Sequence, residues 1–380
     1  MSSWKECKLG DIISSNNKSI DKNYEFENIQ YLDTGSITNN KIDGFQEFKI
    51  SEAPSRAKRL VKHQDIVYST VRPIQRHFGF IENPMENLVV STGFSVIETK
   101  QKLAYPKFIY YFLLSNETVE ILDVIAEAST SAYPSLKPSD IENLDISLPP
   151  LEEQKAIAEV LSSLDDKIDL LHHQNHTLEE LAQTLFRQWF VEEAKEEWED
   201  GTFGEVIEIF DNKRIPLSKM ERDKMKEGKL YPYYGAAQIM DYINDFIFDG
   251  EYILMGEDGT VRTEEGYPIL QYTTGKFWVN NHTHVLLAKE PYSNFFIWNY
   301  LAKKNIDEIV TGAVQPKINQ GNLKSLDFPK YPLDLIEAFN EQSQAFFEKI
   351  NQNKKQIQIL ENLRDTLLPK LLSGEARVKK

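Results

Sequence analysis

SRAKRLVKHQDIVYSTVRPIQR (55–76) sets Arg56, Lys58, Arg59, Lys62, Arg72 and Arg76 against a single acid, Asp65. Guanidinium and ammonium groups grip phosphate, and an Arg fork can bond a guanine edge bidentately. This stretch is therefore the leading candidate for contacting double-stranded DNA. A solvated basic face is the plain alternative, because most charge runs are just that. The second half of the chain offers a more scattered set. GEDGTVR (256–262) places Arg262 on a loop, and GKFWVNNHTH (275–284) brings Lys276, Asn280 and Asn281. GAVQPKINQGN (312–322) adds Gln315, Lys317 and Asn319, while KRIPLSKMERDKMKEGK (213–229) mixes cations and acids with helical amphipathy. Asn and Gln can bond adenine, yet they also populate turns for local reasons, and at each of these positions the turn is the stronger expectation.

Other chemistries are poorly served. GEDGT lacks the Gly-Lys-Ser/Thr of a phosphate-cradling loop, and its two acids repel phosphate. His172 and His176 lie at i and i+4 with no clear third ligand; His282 and His284 alternate along an expected strand. Both pairs are expected to be surface residues rather than metal ligands. The aromatic runs YPYY and FFIWNY are expected in the core.

An internal duplication supplies the elements that must hold these residues. WKECKLGDII (4–13) parallels WEDGTFGEVI (198–207), and AYPSLKPSDIENLDISLPP (132–150) parallels VQPKINQGNLKSLDFPKYP (314–332). LEELAQTLFRQWF (178–190) parallels LENLRDTLLPKLL (360–372). Each unit has β-rich runs such as DIVYSTV, LVVSTGFSVIET, EYILM and THVLLA, then a short helix, in PKFIYYFLLSNETVEIL and SNFFIWNYLAKK. The expected boundaries are 1–150 for the first mixed domain, 151–196 for a helix, 197–334 for the second domain, and 335–380 for a second helix and tail. The fold class is α+β, with two mixed domains related by a pseudo-two-fold repeat and joined by two long helices.

After Pro149-Pro150 apolar residues recur in a 4,3 pattern, with the seam Ile157, Leu161, Leu164, Ile168, Leu171, Asn175, Leu178, Ala182, Leu185 and Trp189. A second seam runs Phe339, Ser343, Phe346, Ile350, Asn353, Ile357, Leu360, Arg364, Leu367 and Leu371. Pairing the helices antiparallel with Asn175 against Asn353 matches every seam position and lets the two amides bond each other. Leu164 against Arg364 is the weak layer, tolerable if the guanidinium reaches solvent. The first seam spans about 48 Å at a rise of about 1.5 Å per residue, somewhat more than one turn of DNA at about 34–36 Å. Beside the seam, Leu170, Leu181, Phe186 and Phe190 are expected to be exposed, as docking positions for partner helices or as packing for the chain's own domains.

Two divergent domains, each followed by a Leu-rich helix, resemble the specificity subunit of Type I restriction enzymes. DIENLDISLPPLEEQKAIAEVLSSLDDKID, LEELAQTLFRQWF, NLKSLDFPKYPLDLIEAFNEQ and ILENLRDTLLPKLLSGE carry the resemblance. It implies that each domain reads one half of a bipartite target and that the helices set the gap. It also implies docking of two methylation subunits and two ATP-driven restriction subunits. S-adenosylmethionine, ATP and Mg2+ would then sit on those partners and no cofactor on this chain. Consistently, the sequence shows no Asn/Asp-Pro-Pro-Tyr/Phe run, no methyltransferase glycine motif, no helicase-like nucleotide loop and no paired-carboxylate nuclease site. Two unlike domains predict an asymmetric target.

Bulk properties bound the reading. The 380 residues suffice for two domains, and no apolar stretch is long enough to span a membrane. Cys7 is the only cysteine, which excludes an internal disulfide and fits a reducing cytoplasm. The net charge of −16 is the main support for the rival class, a protein-interaction scaffold that binds no DNA. Residues 151–196 account for much of it, with 4 basic and 11 acidic side chains.

Overall fold

The computed structural model describes residues 4–129, 134–194, 198–312 and 314–378. The chain forms two compact units, Met1–Leu170 with Gln356–Lys380, and Leu171–Lys355. Each contains one of the expected mixed domains and a stretch of both long helices.

The two units share a frame that can be followed bond by bond. Each has a four-residue helix, Leu9–Ile12 or Phe203–Val206, leading into a short strand, Ile13–Ser15 or Ile207–Ile209. Gly10 and Gly204 are needed for close approach: a Cβ at Gly10 would meet Glu142 Cβ at 3.1 Å, and one at Gly204 would meet Lys324 Cβ at 2.8 Å. The helix start is tied to the returning segment by Leu9 N–H to Leu144 O (2.9 Å) in one unit and Phe203 N–H to Leu326 O (2.8 Å) in the other. At the helix end Lys100 Nζ donates to the carbonyls of Gly10 and Asp11, and Lys289 Nζ to those of Gly204 and Glu205. A cation there satisfies carbonyls that a short helix leaves unpaired.

The sheet order repeats too. In the first unit it runs Ile13–Ser15, Phe94–Thr99, Ile66–Ser69, Phe78–Phe80; in the second, Ile207–Ile209, Thr283–Ala288, Phe248–Gly256, Leu270–Val279. These strands are β-branched and aromatic, as a buried sheet requires. Elsewhere the units diverge. The first adds a separate sheet ordered Gln46–Lys49, Asn28–Leu32, Leu88–Ser91, Ala57–Leu60, whereas the second extends its sheet with Tyr231–Tyr234 and Ile239–Ile243.

The helical run after residue 105 is not one helix but two, Pro106–Leu114 and Asn116–Glu127. Ser115 divides them: its extended backbone ends the first, and its Oγ accepts from Thr118 N to cap the second. Within the amphipathic 213–229 stretch the α-helix is confined to Lys219–Asp223, started by Ser218, whose Oγ accepts from Glu221 N–H at 3.3 Å.

The long helices are Leu151–Arg187 and Leu333–Leu372. Gln154 fixes the start of the first. It is 1% exposed; its Oε1 accepts from Tyr105 N–H (2.8 Å) and its Nε2 donates to Pro149 O (2.8 Å). Within each unit the helices run antiparallel. In the first, Ile157 and Leu161 share a core with Leu368 and Leu371, and Arg364 Nη1 donates to Asp165 Oδ1 at 3.0 Å. Asp165 also accepts from Tyr111 OH at 2.6 Å. The expected weak layer is thus carried by an ion pair, with the Arg364 side chain still 29% exposed to solvent. In the second unit Asn353 Nδ2 donates to Asn175 Oδ1 at 2.9 Å, and Ala182 packs with Ile350.

Phe186 and Phe190 depart from the expectation of exposure. Residues Gln188–Glu192 form a wider helical turn, and both rings enter the second unit's core, with Phe190 at 4.9 Å from Phe296 and from Tyr331. The core of the domain, not a partner, covers them. Leu170 and Leu181 stay 51% and 48% exposed.

Candidate nucleic-acid interface

In each unit three segments meet at one end of the shared sheet. The first follows the central strand. The second is the turn before its neighbour, and the third is the segment returning toward the long helix. Thr70 N–H bonds Gly93 O (2.8 Å), Leu136 N–H bonds Thr70 O (2.7 Å), and Arg72 N–H bonds Pro134 O (3.2 Å). The second unit repeats this: Glu257 N–H to His282 O (2.9 Å), Ile318 N–H to Glu257 O (2.8 Å), Gly259 N–H to Pro316 O (3.0 Å). Isolated bridges Val71↔Ser135 and Asp258↔Lys317 complete the match. Arg72 therefore occupies the place of Gly259, and Lys317 that of Ser135. The loop after the central strand is longer in the second unit, running from Glu257 to Pro268 where the first has only Thr70 to Arg76.

The cationic stretch is divided by this geometry. Arg72 and Arg76 sit on the loop with left-handed backbone, φ +48° and +57°. Arg72 is exposed, but Arg76 turns inward, donating to Leu114 O (3.2 Å) and Asn116 Oδ1 (2.6 Å), where it holds a helix end. Lys62 is engaged by Glu98, which that contact and Asn17 hold below the usual carboxylate range. Arg59 is half-buried and its Nε has no hydrogen-bond partner. Arg56 and Lys58 are exposed, and Thr92 N–H bonds Arg56 O at 2.8 Å, which brings Arg56 to the same turn as Thr70. Asp65, the lone acid, is buried at the strand start, and burial pushes its carboxyl up to about 6. Four of the six cations are thus exposed, Lys62 among them while paired with Glu98, and Arg59 and Arg76 are drawn partly into the fold.

In the second unit Gln315, Lys317 and Asn281 are exposed at the platform, with Val314 fully exposed beside them. Lys317 also reaches Glu257 at 3.4 Å. Asn280 is buried and serves its own turn, its Oδ1 accepting from His282 N (2.9 Å) and Thr283 Oγ1 (3.3 Å). Asn319 caps a short helix through Asn322 N (2.8 Å). Arg262 is paired with Asp307. Lys276 lies elsewhere: it pairs with Asp249 in the strand ladder, far along from Gly256, and its ammonium sits 4.1 Å from the Phe246 ring centroid.

His284 is not the surface residue its alternation predicted. It is 0% exposed, with Nδ1 2.6 Å from Asp211 Oδ2 and Nε2 donating to Ile318 O at 2.9 Å. Burial pushes the Asp211 carboxyl up, but His284, the Val285 amide and Arg214 outweigh it and hold it below the usual range. Asp211, Glu257 and His284 have ligand atoms within 4.8 Å of one another. The group does not fit a divalent ion, because Arg214 already lies 2.5 Å from Glu257 and 3.5 Å from Asp211, and Lys317 adds a second cation. His282 is exposed and meets Asp258 at 2.5 Å. His176 lies 3.5 Å from Glu180 on an exposed helix face.

A cleft of the first unit, about 1340 Å³, is lined by Asp43, Glu117, Asp145, Asp165, Asp169 and Glu361 among others. Its carboxylates disfavour a polyanion. Among the described residues no helix is long and apolar enough to cross a membrane.

Sequence reasoning overlooked Gln154, the Lys100/Lys289 pair and the Asp211–His284 contact. Lys100 and Lys289 each follow directly on an apolar strand ending in Thr99 or Ala288, a shared signal that a full alignment of the two halves would expose.

A family model described as the Type I restriction modification DNA specificity domain matches residues 1–180 and again 195–367. The chain is 38% identical over 192 residues to the Type I restriction enzyme HindI specificity subunit of Haemophilus influenzae, spanning 50% of this chain and 42% of that one. It is 26% identical over 338 residues to the MjaIX specificity subunit of Methanocaldococcus jannaschii, spanning 79% and 76%. The crystal structure of a Type-I restriction-modification system S subunit from M. genitalium shares the fold, with a TM-score of 0.55 at 18% identity over 97% of this chain and 96% of that one. With a match to each of its two halves, the chain belongs to the Type I restriction modification DNA specificity domain family.

Proposed function

We propose that this chain is the non-catalytic DNA-specificity subunit of a Type I restriction-modification complex, reading a bipartite, asymmetric target with one platform per half-site. The observation that carries this reading is the repeated platform. One hydrogen-bonded frame presents Arg56 and Arg72 in the first unit and Asn281, Gln315 and Lys317 in the second. Frames that agree while their outward residues differ suit two unlike half-sites, and cations with amides suit phosphate and base edges. Membership of the family supports the same reading. The long helices set the interval between half-sites, and exposed Leu170 and Leu181 are docking positions for the methylation subunits. Two methylation and two restriction subunits complete the complex and bring S-adenosylmethionine, ATP and Mg2+. The chain works in the cytoplasm, where its DNA is.

The test is binding of random-sequence duplex by the chain in complex with its methylation partner, across a salt series. Affinity should fall steeply and linearly with log salt as counterions are released. Absence of binding at every salt concentration would reject the reading in favour of a scaffold.

A further inference from the structure

We infer that buried His284, held by Asp211, positions the Val314–Asn319 loop as the base-reading edge of the second domain. This deepens, and rests on, the DNA-reading function proposed above.

The loop itself offers three kinds of contact within four residues. Val314 is fully exposed, and Gln315 and Lys317 face outward. An apolar side chain suits a thymine methyl, an amide suits adenine, and an ammonium suits phosphate or guanine. Discrimination requires such groups to be held still, because a base contact loosened by an ångström loses its preference. The structure holds this loop from beneath. His284 Nε2 bonds Ile318 O at 2.9 Å near the end of the loop, next to Lys317, and Ile318 N–H bonds Glu257 O at 2.8 Å. His284 is fixed in turn by Asp211, whose Oδ1 accepts from Val285 N (3.0 Å) and whose Oδ2 accepts from Gln320 Nε2 (2.7 Å), just past the loop. Arg214 closes the network by donating to Asp211 O (3.0 Å), Thr283 O (2.7 Å) and Glu257 Oε2 (2.5 Å). A buried polar cluster of this size is costly unless its members are satisfied, and here they are satisfied by bonds that converge on one loop.

The first unit gives the contrast. By strand register the counterpart of His284 is Ser95, a buried serine whose Oγ has no hydrogen-bond partner. The corresponding returning segment there is tied by backbone bonds, Leu136 N–H to Thr70 O (2.7 Å) and Arg72 N–H to Pro134 O (3.2 Å). The histidine clamp therefore belongs to the second domain, where the first has Ser95, and its removal should be felt in one half-site.

The experiment selects bound duplexes from a random-sequence pool, using the full chain in complex with its methylation partner. It compares the wild type with His284→Ser, which writes in the first unit's residue, and with Gln320→Ala. The latter removes one bond to Asp211 from an exposed position and keeps the test usable where His284→Ser does not fold. The wild type should yield a split motif. Both variants should lose base preference in one half by about tenfold, with the other half and the salt slope unchanged. Preference retained in both halves, or lost equally in both, would overturn the inference. A wild type that selects no motif would instead count against the DNA-reading function itself.

Discussion

The first and second units solve the same problem with different chemistry at matched positions. Gln154, which staples the start of the first long helix, corresponds to Ile336 at the start of the second, buried in an apolar core. Asp65 at the head of the first unit's central strand corresponds by register to Tyr252. At positions the repeat does not match, the polar contact between the long helices also differs, an Asp165–Arg364 ion pair in one unit and an Asn175–Asn353 amide pair in the other. The backbone bonds of the frame are kept, while the side chains that stabilise it are replaced. The frame is what both domains require, and the outward residues are what distinguish them.

The largest expected break in the comparison is at the helix start. Gln154→Ala strands the buried Tyr105 N–H and Pro149 carbonyl and should cost about 2–4 kcal/mol, read by urea denaturation of the full chain. At the matched position the second helix has apolar Ile336, so only the transition of the first unit should move. A cost below about 1 kcal/mol would show that the staple is incidental.

Asp65 sharpens the comparison through pH. Its folded carboxyl is raised from 3.8 to about 6 by burial, so the native state keeps a proton that the unfolded chain releases. Stability of the first unit should therefore fall as pH rises from about 4 to about 6 and level off above. Asp65→Asn should remove that slope and gain roughly 2 kcal/mol at pH 7, with no difference from wild type below pH 4. Parallel pH dependence in wild type and Asp65→Asn would refute the assignment.

The central amides predict a smaller, two-sided effect. Asn353 Oδ1 already lacks a partner in the buried layer. Asn353→Leu alone should cost roughly 1–2 kcal/mol by orphaning Asn175, whereas Asn175→Leu with Asn353→Leu should be neutral or gain about 1 kcal/mol. Both variants are read by urea denaturation of the full chain, and a double variant destabilised as much as the single one would contradict the amide pairing.

The legible parts of the molecule were those written in local pattern. The duplicated Trp-Gly openings, the Pro-apolar returns and the heptads lead to the shared frame and the long helices, because periodicity records which face is buried. Side-chain partners were less legible. Arg76 looks like Arg72 in the sequence, yet only pairing with Leu114 and Asn116, some forty residues away, turns it inward. His284 alternates like any strand residue, and its burial depends on Asp211 and Ile318 arriving from distant segments. Phe186 and Phe190 follow the helical spacing of exposed positions, but a local widening at Gln188–Glu192 and the aromatic core of the second domain capture them.

The most direct test of two unlike readers on one frame is motif selection by the complex carrying Arg72→Ala or Lys317→Ala. The account predicts that each variant relaxes preference in a different half of the target, by roughly 1–3 kcal/mol per affected base pair. Relaxation of the same half by both, or a uniform loss of affinity with the motif intact, would contradict it.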